Sequence, residues 1–458
     1  MPQKEPFSFA TELSEKGEAT GFSDSLVLVG DLSISPGRSP IFEIDLLERG
    51  KISDLENQIN RVDVKTESGK YVLWDCEKFD GGFFASYVTK GDIDLSKVMG
   101  FQVLISGVTS WFHKHLNIEI IDGKIQRENF KEKFSVVVGE GGDAVTVSND
   151  LNFQCFSDDE HEAQTIINDE MWLGFRWNSR SATLKEIKLN TLKAVNLFSL
   201  LTGYPLGILK VRLLTKDKNF SLPIIWLSIQ AKPHRIKWHK SIAKCDILFR
   251  EDLWASIFQS SFDFKQEDFA EIFQRIMVVA QYELWDLTIF GYMSIWEKYS
   301  KGLLPDKKLS SKRKKHVKTE LLNCLKNFDW KDEDDFKEPF EAQINGLSGR
   351  IYPTLIDALN YCLKQFPVEL KEILELSESN VDDLRCLKGI RDDIAHANKT
   401  SVVDINRVIM LGDRVFVLLL CLAYLEMGIT QKIIVEFFNP CSHKTVKGAR
   451  LNLRVTDL

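Results

Sequence analysis

Up to about residue 230 the apolar positions come in short runs rich in Val, Ile, Phe and Trp, broken by Gly, Asp, Asn and Ser clusters. That punctuation predicts strands. They are Ser25 to Val29, Arg61 to Thr66, a turn at Ser68-Gly69, Tyr71 to Trp74, Phe83 to Val88, Phe101 to Ile105, Phe134 to Val138, and Ala144 to Val147. A helix is expected from Thr191 to Leu201, stopped by Gly203, followed by strands near Ile208 to Leu213 and Ile224 to Ile229. Strands at this spacing imply a mainly antiparallel sandwich or barrel. From Phe264 onward the period becomes three and four. Phe269, Ile272, Phe273, Ile276 and Val279 lead on through Leu284, Leu287 and Phe290 to Trp296, which predicts one long helix. Further helices are expected from near Pro353, from Val381 to Asn398 and from Val403 to Met427. The expected fold is therefore α+β: a β-rich N-terminal region (1–230), a junction (231–263) and an all-α helical bundle (264–458).

Composition sharpens this division. A chain of 458 residues, 44% hydrophobic and 27% charged, is long enough for two or three globular domains and is neither disordered nor collagenous. Its formal charge of -7 is uneven: 25 basic and 33 acidic residues through position 230 leave -8, and 34 against 33 beyond it leave +1. A uniformly basic nucleic-acid coat is excluded. The eight cysteines include no CxxC pair and no secretory leader opens the chain, so free thiols in a reducing cytoplasm are expected. The apolar run Val415 to Leu425 is about half what a bilayer needs and is flanked by Asp413, Arg414 and Glu426, which predicts a buried core helix and no membrane partner.

One constellation carries chemistry. Arg391-Asp392-Asp393-Ile394-Ala395-His396 sets an Arg and a His five positions apart on the third bundle helix. At about 100° per residue, Leu384, Leu387, Ile390, Ile394 and Ala397 form an apolar stripe, while Arg385, Lys388, Arg391, Asp392, His396 and Lys399 fall on the other side. Asp392, four residues before His396, is expected to orient the imidazole. Arg391 and His396 are about 140° apart on the wheel, too far to share one phosphate from a single helix. Two copies related by a two-fold axis would each supply one Arg and one His to a common cleft. Such a pair of imidazoles could take the proton from an RNA 2'-hydroxyl and protonate the departing 5'-oxygen, with arginines stabilising the phosphorane. That chemistry requires no metal and no cofactor.

On these residues the helical half resembles the HEPN domain, whose ribonuclease members carry RxxxxH on the third helix of a bundle, often with Asn, Asp or His directly after the Arg. Asp392 fills that slot here. A β-rich N-terminal region joined to a C-terminal HEPN domain is similar to the ApeA type of anti-phage protein. The resemblance implies an endoribonuclease that arrests growth of an infected bacterium, with tRNA a common target, a homodimer through the bundle, and a trigger of phage origin sensed through the β half. It implies catalytic roles for Arg391, Asp392 and His396.

Weaker signals complete the set. Glu297, near the end of the first bundle helix, could reach the motif helix and pair with Arg391, and Lys388 is a second accessory candidate. Lys312, Arg313, Lys314 and Lys315, expected in a charged loop from Lys307 to Lys318, could hold RNA phosphates, as could Lys399. Lys232 to Lys244 interleaves Trp238 with cations and can be read as an RNA contact or as a linker. His113 and His115 are poor metal-ligand candidates, and Gly139 to Gly142 is expected to be a hairpin turn because no Lys-Ser/Thr follows it. The competing reading of the cationic helix face is a non-catalytic nucleic-acid or nucleotide-binding regulator. A third is a scaffold that dimerises without chemistry.

Overall fold

The computed structural model describes residues 12–450 except 23–25, 36–37, 54, 113–117, 122–123, 128–132, 158–164, 217–224, 228–237, 263–266, 283, 305–306, 309, 329–336, 347–349, 352–354, 375–380, 397–403 and 440. The chain forms two compact units. The first comprises 1–283 and 416–458, and the second 284–415.

The first unit opens with six strands, β1 (Leu13–Thr20), β2 (Leu28–Ile34), β3 (Ile41–Ile44), β4 (Gln58–Thr66), β5 (Gly69–Phe79) and β6 (Gly82–Lys90). Then come β7 (Val98–Ile105), helix α1 (Val108–Phe112), the hairpin β8 (Ile118–Ile121) and β9 (Lys124–Arg127), β10 (Ser135–Val138), β11 (Val145–Ser157), β12 (Thr165–Trp177), helix α2 (Leu184–Thr202), β13 (Ile208–Thr215) and β14 (Ile225–Leu227). One sheet runs β14-β6-β3-β2-β1-β4-β5, and an added β6–β5 pairing closes its six N-terminal strands into a barrel. Closure removes the unpaired edges that an open sheet of this length would expose. Every described pairing is antiparallel, as the short hairpin connections require. The interior follows from alternation: in β2, Leu28, Leu32 and Ile34 are fully buried while the residues between them are half-exposed. The second sheet runs β10-β11-β12-β7-β13. Gly139 to Gly142 does form the turn between β10 and β11, with Gly139 and Gly141 at φ 84° and 63°.

Helix α2 starts seven residues before the expected Thr191, at Leu184. Thr183 caps it: the hydroxyl accepts from the Glu186 amide at 3.2 Å, and the Glu186 carboxylate accepts from the Thr183 amide at 2.9 Å. Its end at Gly203 (φ 77°) is where the sequence places it. Helices α3 (Cys245–Arg250), α4 (Trp254–Phe262) and α5 (Glu267–Val279) follow. An aromatic cluster of Trp111, Phe112, Phe134, Phe198, Trp254 and Phe258 joins α1, α2 and α4, with Phe134 and Trp254 stacked at 4.7 Å. The unit is completed by the end of α12 (Ile405–Glu426) with α13 (Gln431–Phe438) and α14 (Lys444–Arg450). Tyr424 is buried there and its hydroxyl donates to the Leu200 carbonyl at 2.8 Å.

The second unit contains α6 (Trp285–Leu303), strand β15 (Lys307–Lys308), α7 (Ser311–Lys326), α8 (Lys337–Gly346), strand β16 (Arg350–Ile351), α9 (Leu355–Gln365), α10 (Val368–Leu374), α11 (Val381–Ala395) and the start of α12. Helix α6 packs on α11 and on α9. Ile289, Tyr292, Met293 and Trp296 of α6, Ala358 and Leu359 of α9, and Leu387 and Ile390 of α11 are buried. Gly412 lets α12 approach α6 closely, since a Cβ there would lie 3.2 Å from the Ile289 side chain.

Three expectations are corrected. The single helix from Phe264 to Trp296 is two, α5 and α6, because the chain leaves α5 through short-range turns in which Gln281 and Tyr282 donate to the carbonyls of Val278 and Val279. Helix α6 then restarts, with the Thr288 hydroxyl bonded to the Leu284 carbonyl. The segment Lys307 to Lys318 is not a loop: β15 and α7 form there, and Ser310 caps α7 by accepting from the Arg313 amide at 3.3 Å. The four-helix bundle is a larger set, because short amphipathic stretches such as α8 and α10 also fold as helices. The division by contacts also differs from the 264–458 boundary, since α5, α13 and α14 lie in the first unit. The apolar run in α12 is a buried core element as expected: α12 is long and apolar enough to cross a membrane, but 78% of its apolar window is buried.

Candidate active site

The site forms where α6 lies against α11. Leu387 and Ile390 turn one side of α11 into the core, which leaves Arg391 at the rim with 29% of its side chain exposed. Its guanidinium is held twice: Nη2 donates to Glu297 Oε2 at 2.5 Å, and Nη1 donates to Asp392 Oδ1 at 2.8 Å. Each carboxylate has a second cation. Lys301 Nζ lies 3.4 Å from Glu297 Oε1, and Lys388 Nζ donates to Asp392 Oδ2 at 3.0 Å. The result is an alternating chain, Lys301–Glu297–Arg391–Asp392–Lys388, with three cations against two carboxylates. The bonds from Arg391 and Lys388 hold the Asp392 carboxyl below its ordinary range, so it stays ionised.

The structure brings together Arg391, Asp392, Glu297 and Lys388, all read from the sequence. Lys301 was missed, although Glu297 and Lys301 show the four-residue spacing of a helical ion pair. His396 is placed differently from expectation. It sits just past the last residue of α11, is exposed, and its backbone amide donates to the Asp392 carbonyl at 3.0 Å. Among the described residues the imidazole has no bond to the Asp392 carboxylate, because that group is already engaged by Arg391 and Lys388. Orientation of the ring by Asp392 is therefore not a feature of the single chain. Lys399 falls outside the described residues, as do His113 and His115 and most of Lys232 to Lys244. Lys312, Arg313, Lys314 and Lys315 lie on the first turns of α7, not beside the Arg391 cluster in sequence or helix.

Comparison with known families decides the assignment. The ApeA N-terminal domain 1 family matches residues 21–265, more than half of the chain. The chain belongs to the ApeA family. Its residues 290–433 match the Apea-like HEPN family, a span that contains Glu297, Lys301, Lys388, Arg391, Asp392 and His396. An Apea-like HEPN domain indicates a nuclease role in defence. No match was found among curated proteins or among solved structures.

Proposed function

We propose that this ApeA protein is a metal-independent endoribonuclease of the cytoplasm that cuts RNA, tRNA among its candidates, to arrest growth of a phage-infected cell. The observation that carries the reading is the Arg391 fork, fixed by two carboxylates from two helices and five positions before an exposed His396. Arg391 would stabilise the dianionic phosphorane, and Lys388 and Lys301 keep the cluster net positive. Two chains pair through the HEPN bundle so that two His396 imidazoles flank one phosphodiester. One takes the 2'-hydroxyl proton as O2' attacks phosphorus. The P–O5' bond breaks, and the other, as imidazolium, protonates O5'. The products are a 2',3'-cyclic phosphate and a 5'-hydroxyl end, and DNA is inert because it has no 2'-hydroxyl. The acidic β-rich region restrains the nuclease until a phage-derived trigger reaches it.

The alternative, a non-catalytic nucleic-acid or nucleotide-binding regulator, draws on one observation: both terminal nitrogens of Arg391 already serve carboxylates within the chain. The His396→Ala variant separates the two. Under the nuclease reading, toxicity and RNA cleavage disappear while folding and RNA binding persist. An unchanged cellular phenotype would support the regulator.

A further inference from the structure

The excursion from β15 to β16 has features that the Arg391 site does not use. β15 pairs antiparallel with β16, Lys307 opposite Ile351 and Lys308 opposite Arg350, so a short ribbon closes the base of the α7–α8 pair. Helix α7 carries six cations and one carboxylate in 16 residues, and none of its side chains is buried. Four of the cations, Lys312, Arg313, Lys314 and Lys315, are consecutive in its first turns. Cations at that end oppose the helix dipole, so their position is unfavourable for the helix itself. Nothing described in the chain offsets this, for no hydrogen bond or ion pair engages any of the four side chains, whereas Lys318 of the next turn bonds the Asn345 carbonyl of α8.

From these observations we infer that α7 is a docking surface for the phosphate backbone of a double-helical RNA segment. This deepens the nuclease reading and rests on it for the choice of RNA. Two features favour a duplex over a single strand. Four successive residues on a helix point to four azimuths about 100° apart within about 5 Å of its axis. They suit two phosphate strands on either side of a groove better than one strand lying on a flat face. Single-strand surfaces also pair their cations with aromatic rings that stack bases, and the cationic stretch from Lys312 to Lys318 contains no Phe, Tyr or Trp. Recognition by shape and backbone charge is the mode that double-stranded RNA allows. Duplex regions of a folded RNA would thus be held by α7, while the cleaved linkage, which must be free to align O2' with O5', lies in an unpaired segment.

The test measures binding in the His396→Ala protein, so that cleavage does not enter. The probes are a fully paired RNA hairpin and an oligouridylate of equal length, and the comparison adds K312Q/R313Q/K314Q/K315Q. The expected result is a preference for the hairpin that the fourfold variant loses, with the slope of log affinity against log salt flatter by about 3 to 4, one unit per phosphate released. Circular dichroism and the melting temperature should be unchanged or raised, since the variant relieves the dipole, and K312R/K314R/K315R should retain hairpin binding. Equal affinity of parent and fourfold variant for the hairpin, with equal salt slopes, would overturn the inference. So would equal affinity of the parent for hairpin and oligouridylate, which would assign α7 to single strands. Failure of the nuclease reading shows separately, as RNA left intact by the unmutated protein.

Discussion

Arg391 on α11 and Glu297 on α6, 94 residues apart in the chain, are joined by a 2.5 Å bond between Nη2 and Oε2. The pair fixes the guanidinium from the helix that does not carry it. Because both side chains are more than two-thirds buried, the bond is less screened than a surface ion pair.

Removal of the carboxylate should therefore cost catalysis more than stability. Glu297→Gln is expected to lower kcat by about 10-fold to 100-fold, by letting the guanidinium drift, while unfolding free energy falls by about 1 kcal/mol. Single-turnover cleavage and urea unfolding measure the two. A variant with full kcat would show that Glu297 has no part in positioning Arg391.

Arg391→Lys tests the fork itself. An ammonium keeps the charge but cannot bridge Glu297 and Asp392 while facing a phosphate, so a loss of at least about 100-fold is expected with little change in RNA affinity. Restoration of activity by Lys would reduce Arg391 to a simple positive charge.

Lys388 bears on the pH profile. Arg391 and then Lys388 hold the Asp392 carboxyl below its ordinary range, so its ionised form persists into acid. Lys388→Met removes one of those supports and raises that carboxyl's pKa. The acid limb of the cleavage rate should then move to higher pH, and an unmoved limb would detach Asp392 from the reaction.

The first unit has its own pH dependence. His443 is buried, its ring 4.5 Å from that of Tyr204 and stacked on Phe416, and burial pushes its pKa down to about 4. The folded state thus binds fewer protons than the unfolded one, so stability is full above about pH 6.5 and falls towards pH 4, by up to about 3 kcal/mol. His443→Gln should flatten this dependence in thermal melts at pH 7 and pH 5.

Much of this could be read from the sequence. Strand positions were legible because period-two alternation and Gly-rich turns are local, and the buried face of α11 followed from Leu387 and Ile390. The helix from Phe264 to Trp296 was misread because α5 and α6 share one apolar period, and the reversal at Gln281 and Tyr282 carries no Gly or Pro. The α7 segment was misread because its cations mask a capping Ser310 that closes on the Arg313 amide. In the site, the link between Glu297 and Arg391 was legible from the placement of both on bundle helices, but Lys301 needed the ion-pair spacing to be weighed. The carboxylate of Asp392 could not be assigned a partner from the wheel alone. His396, Arg391 and Lys388 are all within its reach in sequence, and only the folded chain shows that the two cations take it.

The most direct test is the chemistry of the ends. RNA cut by the purified, triggered protein in the presence of EDTA should carry 2',3'-cyclic phosphate and 5'-hydroxyl termini, and the matching DNA should remain whole. Products with 3'-hydroxyl and 5'-phosphate ends, or cleavage abolished by EDTA and restored by a divalent metal, would contradict attack by the 2'-hydroxyl under His396 and Arg391.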